Sequence, residues 1–322
     1  MRVLPIVHPL RLGLFTLDEA LMTGWTPNGL RHAVTTGDLR RIRPGVYAPA
    51  RAIGADVHAE RRVDIHERAV AAALTNQNAH VSHTSCAAMH DLPVWYLPSR
   101  PCITVPPHFV GDIDDAHLHR AALPDAHVLI DGAPHLTIER TVVDVGREHG
   151  VLSALVLADA ALHLERTSVN ALRATLQSCK GWPGIRAARE AVDLADPFAE
   201  SPLETASRYK LRGLVPTPQS QVWIYDLYGT FLGRADFYWD EFGVVGEVDG
   251  MTKYDGRDDL VLQKEKVRQM AFERCKLNVV RWGRSDLDPI DGLVHRLHQS
   301  FEDGRRRPGA RLWLAKAPRR SA

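Results

Sequence analysis

Cysteine is scarce in this chain: Cys86, Cys102, Cys179 and Cys275 stand far apart among 322 residues and form no CxxC pair. That scarcity excludes a disulfide scaffold and a zinc ribbon, and it predicts buried thiols in a reducing compartment. Long apolar runs are missing too. The opening "MRVLPIVHPLRLGLFTLDEA" has arginines but neither a sustained apolar core nor a small-residue cleavage site, and "VLSALVLADAALHLE" is short and interrupted by Asp159. The expectation is a cytoplasmic protein without membrane contact. No fixed period recurs, which excludes a repeat array. An excess of one charge is also lacking: the net charge is +1, so any attraction for nucleic acid must be local.

What is present is enough sequence for two or three domains of ~100–150 residues, and basic residues gathered near the front. "FTLDEALMTGWTPNGLRHAVTTGDLRRIRPGVYAP" reads as a helix from about Thr16, a break at Gly24, then Thr26 and Pro27 as N-cap and first residue of a second helix ending near Gly37. A basic strand pair follows. Helix, turn, helix and basic hairpin predict a winged helix-turn-helix over residues 1–50 that binds double-stranded DNA. Arg31 and His32 fall on the second helix, where base edges are read, and Arg40, Arg41 and Arg43 fall on the wing, where phosphates are met.

Three carboxylates mark the other end. Glu247 and Asp249 alternate in "VVGEVDG", so a strand turns both to one face, and the turn "DEFG" folds that run back on "GRADFYW", bringing Asp236 beside Glu247. Oxygen ligands so arranged suit Mg²⁺ or Mn²⁺. Upstream, "ESPLETASRYKLRGL" predicts a helix capped by Ser201 with Glu204 in its first turn. Downstream, "DDLVLQKEKVRQMAFERCKLNVVRWG" predicts a helix, a turn near Lys276 and a buried strand.

The order of these elements, with "RADFYW", "GEVDGMTKY" and "VVRW", resembles the PD-(D/E)XK nuclease fold in the branch similar to very-short-patch-repair endonucleases, over about the last third of the chain. That resemblance implies Asp236 and Glu247 as metal ligands, Glu204 as the helix acid and Gln221 of "PTPQSQV" as the polar residue before the hairpin. Its usual lysine, two places after the second acid, is here Asp249, which becomes a possible further ligand. Lys253, Lys264 and Lys266 are the substitutes within reach. The front, and above all "GDLRRIRPGVYAP", resembles the N-terminal domain of AbiEi-type antitoxins, regulators from toxin–antitoxin systems, and the likeness continues through "VSHTSCAAMHDLP" and "DGAPHLTIERTVVDVGRE". It implies a toxin protein as a further partner.

The middle region declares no chemistry. His80, His83 and His90 lack a matching Cys/His cluster nearby in sequence, which argues against zinc, and Arg140 and Asp144 at helical spacing predict an ion pair. The expected organisation is α/β (α+β, multidomain): a winged domain over 1–50, a mixed α/β domain over 51–198, a restriction-endonuclease-like core over 199–302, and a basic tail over 303–322 that Trp313 could tether. Three functions follow as expectations: a metal-dependent DNA endonuclease, a DNA-binding regulator whose nuclease fold is inactive, and an antitoxin.

Overall fold

Thr16 ends one element and begins the next. A computed structural model describes residues 13–318, apart from 53, 55, 77, 114, 125, 250–258, 308 and 309. In it the strand β1 (Phe15–Thr16) runs straight into α1 (Leu17–Met22), because the Thr16 hydroxyl accepts from Glu19 N and the Glu19 carboxylate accepts from Thr16 N, at 3.2 and 2.8 Å. Gly24, at φ +85°, makes the turn that a side chain would strain. Thr26 then caps α2 (Pro27–Thr35) with Pro27 opening the helix. A hairpin of β2 (Leu39–Arg43) and β3 (Val46–Pro49) follows, and the sheet order is β1-β3-β2. Phe15, Ala20, Leu30, Ala33 and Leu39 form the small core beneath it.

The chain divides into two units, residues 1–195 and 196–322. In the first, the wing residues Val46 and Ala48 share one core with the alanines 69 and 71–73 of α3 (Val57–Thr75) and with Val81, Ile103 and Val105. Those last three belong to a five-stranded mixed sheet of β4 (His80–Val81), β5 (Cys102–Val105), β6 (His117–Arg120), β7 (Val128–Ile130) and β8 (Ala133–His135), in the order β6-β5-β4-β8-β7. Between β4 and β5 lies α4 (His83–Met89). The helical run α5 (Ile138–His163) is broken at Gly150, φ +82°, and α6 (Val169–Ser178) and α7 (Ile185–Asp193) follow. The expected ion pair is there: Asp144, fully buried, accepts from Arg140 Nε and Arg147 Nη1, both at 2.8 Å. All four cysteines are free and buried.

The second unit opens with α8 (Pro202–Leu211), capped by Ser201, whose hydroxyl accepts from Glu204 N. Strands β9 (Gln219–Asp226), β10 (Phe231–Trp239) and β11 (Val244–Val248) form antiparallel neighbours. Then α9 (Asp259–Arg274) leads to β12 (Asn278–Trp282), parallel to β11. This is the predicted order of elements. Gly246 is required where it stands, since a Cβ there would come within 2.5 Å of the Trp282 ring. Beyond α10 (Asp291–Arg305), residues of the expected basic tail form β13 (Trp313–Lys316), which pairs antiparallel with β9. The reason is local: Trp313 is buried and its indole N–H donates to the Tyr238 hydroxyl at 2.6 Å. The architecture is therefore mixed α/β, with ten α-helices and three sheets among the described residues. None of those helices is long and apolar enough to cross a membrane.

Candidate functional site

On α2, Arg31 and His32 are exposed, and on the wing Arg41 is exposed. Helix periodicity sets the first two on the outer side of α2 while Leu30 and Ala33 turn inward. Arg40 and Arg43 of the hairpin are engaged by acids of the same unit. Arg40 donates from both terminal nitrogens to the buried Glu67 of α3, at 2.8 and 2.7 Å, and Arg43 lies 3.4 Å from Asp115 with only 12% of its side chain exposed. Neither acid was marked by the sequence, because each pairs across many intervening residues.

In the second unit the register aligns three polar groups in a row, and a fourth joins from a helix. Phe237 pairs with Gly246, so the next step sets Asp236 opposite Glu247, and the pairs Val222–Ala235 and Ser220–Phe237 bracket Gln221 opposite Asp236. Glu204 joins from α8, accepting from Gln221 Nε2 at 2.8 Å, from the Ser201 hydroxyl at 2.7 Å and from Glu200 N at 3.0 Å. Asp236 Oδ2 accepts from Val248 N at 2.8 Å. Gln221 adopts φ +57°, a left-handed conformation rarely seen for such a residue and one that carries strain.

Charge and burial compete along this row. Burial, with the Asp236 charge adding to it, pushes the Glu204 carboxyl above its ordinary range. Burial does the same to Glu247, helped by Asp236 and Asp249 and opposed by two guanidiniums, Arg281 Nη2 at 2.9 Å and Arg268 Nη2 at 3.0 Å. Sequence reading missed both arginines, although Arg281 is the direct parallel-strand neighbour of Glu247. Asp249 is half-buried and its N–H donates to the Trp282 carbonyl. Lys253 lies outside the described residues, and so do the side chains of Lys264 and Lys266.

The donor chemistry of the row fits a hard cation. Gln221 Oε1 and Glu247 Oε1 are buried acceptors with no hydrogen-bond partner, and every candidate ligand is an oxygen. The arginines beside Glu247 compete for the same charge, and the acids do not appear among the described groups that bring three ligand atoms within 4.8 Å of one another.

Such groups occur in the first unit instead. His83 Nε2 and His119 Nδ1 each lie 3.3 Å from Glu148 Oε2, and His117 Nδ1 lies 3.4 Å from Glu148 Oε1. His83 opens α4, His117 and His119 sit at alternate positions of β6, and Glu148 is on α5 just before its break at Gly150. Burial pushes the His119 imidazole down to about 3 and the His83 imidazole well below its ordinary value, with neighbouring histidines adding to both. A signal was available in the alternate histidines of "AHLHR", which a strand turns to one face. His80 and His90 take no part; each ring approaches a backbone carbonyl, Asn78 O and Leu136 O.

Two curated proteins of Mycobacterium tuberculosis, Uncharacterized protein Rv2248 (strain ATCC 25618 / H37Rv) and Uncharacterized protein MT2308 (strain CDC 1551 / Oshkosh), are each 30% identical to this chain over 128 residues. The match covers 39% of this chain and 46% of each relative, so the chain spans less than half of their length. The crystal structure of RV2827C protein from the same organism is similar over 60% of this chain and 74% of that chain, at 15% identity and a TM-score of 0.38. Residues 2–50, which take in the helix-turn-helix and its wing, match the family described as transcriptional regulator, AbiEi antitoxin.

Proposed function

We propose that this protein is a duplex-DNA-binding transcriptional regulator of the antitoxin kind, with a toxin protein as its second partner. The observation that carries this reading is the exposed basic set Arg31, His32 and Arg41 on a helix-turn-helix and wing whose residues match the antitoxin regulators. In this arrangement α2 enters the major groove and offers Arg31 and His32 to base edges, while Arg41 meets the backbone. Arg40 and Arg43 hold the wing against acids of the same unit rather than touching phosphate.

The test is a salt series with genomic duplex fragments. The Arg31→Ala, Arg41→Ala double variant should bind more weakly and lower the slope of log affinity on log salt by about 1, the share of the Arg41 phosphate contact. Unchanged affinity and slope would remove the assignment.

A second reading, metal-dependent DNA cleavage by the second unit, is favoured by the unpartnered oxygens of Gln221 and Glu247 and by the strained backbone at Gln221. Asp236 and Glu247 would hold Mg²⁺ or Mn²⁺, which when bound supplies Lewis acidity to a phosphodiester. Gln221 would hold Glu204 in place through its amide, and Arg268 and Arg281 would offset negative charge on a nucleic-acid backbone.

A further inference from the structure

We propose that the first unit binds a divalent transition-metal ion of the zinc class through His83 Nε2, His119 Nδ1 and Glu148 Oε2. The spacing carries the argument. Ligand atoms bound tetrahedrally at about 2.0–2.1 Å from a zinc ion stand ~3.3 Å from one another. The two imidazole-to-carboxylate separations to Glu148 Oε2 are 3.3 Å. Two imidazoles facing one carboxylate form a donor set that suits zinc, cobalt or nickel rather than magnesium.

His83 is further constrained: its backbone sits at φ +50°, and its other ring nitrogen, Nδ1, is 3.0 Å from the Ser82 hydroxyl, which fixes the orientation of the ring. The His83 and His119 rings stack with centroids 3.6 Å apart, and each turns one nitrogen toward Glu148 Oε2. Cys102 groups with His117 and His119, apart from the set that shares the Glu148 carboxylate.

Access is available. A cavity of about 390 Å³ is lined by His83, His119 and Glu148, and this leaves room for an exchangeable ligand at an open coordination position. Arg147 also lines this cavity, and it shares the Asp144 carboxylate with Arg140, each at 2.8 Å. A bound ion would tie α4, β6 and α5 together at residues far apart in sequence.

The experiment uses the full chain stripped of metal, titrated with Co²⁺ and separately with Zn²⁺. The expected result is one tightly held ion per chain, the visible absorption of tetrahedral Co²⁺ with nitrogen ligands, and displacement of that colour by Zn²⁺. Glu148→Gln and His119→Gln should each weaken binding at least tenfold, roughly the minimum seen when even a ligand's supporting partner is lost. His295→Ala, an exposed imidazole elsewhere, should change nothing. Glu148→Gln preserves side-chain shape, so it carries the test if His119→Gln fails to fold. An apo chain that retains no ion, or full retention in the Glu148→Gln variant, would overturn the proposal.

Discussion

Arg40 and Glu67 form a two-pronged ion pair between the wing and α3, with Nη1–Oε2 and Nη2–Oε1 separations of 2.8 and 2.7 Å. Glu67 is 3% exposed, and its facing cations are this partner and Arg51, whose Nε is 3.6 Å away. Arg40→Ala should therefore destabilise the first unit by about 2 kcal/mol, the cost of leaving a buried carboxylate half-partnered. Arg41→Ala, at an exposed site, should cost less than about 0.5 kcal/mol while weakening DNA binding. Urea unfolding and the salt slope of DNA binding, measured on both variants, separate the two roles. Equal stability of the variants would refute the division.

His135 sets an acid limit on the same unit. It is fully buried in β8, with Nδ1 2.9 Å from the Ala133 carbonyl and Nε2 without a partner. Burial lowers its imidazole to about 3 against an opposing contribution from that carbonyl, and His66, His90 and His80 lower it further. An unfolded chain takes up this proton near pH 6.5, whereas the folded one resists it to about pH 3. The stabilising contribution is thus complete above pH 6.5 and is lost as pH falls toward 3, with a slope of up to about 1.4 kcal/mol per pH unit. His135→Leu should be less pH-sensitive between pH 6.5 and 4, whatever its stability at pH 7. An identical slope in denaturation curves taken across that range would count against this account.

The parts of the fold that sequence made legible are those governed by neighbours in the chain. Thr26–Pro27 capping and the Gly24 turn depend on a few adjacent residues. Strand parity and one tight turn suffice to align Asp236 with Glu247. Long-range pairing was not legible in the same way: nothing in "LRRIR" marks Arg40 for Glu67, 27 residues on, and nothing in "VVGEV" marks Glu247 for Arg268, 21 residues on. The end of the chain misleads by composition. Its arginines suggest a solvated arm, yet Trp313 and Ala315 turn to the core while Leu314 and Lys316 turn outward, a strand alternation already present in "LWLAK". The histidine cluster was hidden for a different reason, since His83, His119 and Glu148 come from three separate elements that only the tertiary fold brings together.

Glu247 decides whether the second unit handles a metal or is a self-contained ion pair. Its Oε2 lies 2.9 and 3.0 Å from Arg281 and Arg268, while its buried Oε1 has no partner. Glu247→Gln removes a negative charge between those half-buried guanidiniums, and a loss of about 1–3 kcal/mol is expected, discounted for their partial exposure. The metal question needs a different readout. Because burial holds the Glu204 and Glu247 carboxyls above their ordinary range, a cation must compete with protons, and Mn²⁺ binding should tighten as pH rises through that raised range. Mn²⁺ should then raise the thermal midpoint of the wild-type chain and support nicking of supercoiled DNA. Asp236→Asn and Glu247→Gln should lose both effects, while Glu148→Gln keeps them. If Mn²⁺ leaves the midpoint unmoved and the DNA intact at every pH, the guanidiniums are sufficient counter-charges for Glu247, and the regulator reading stands without cleavage.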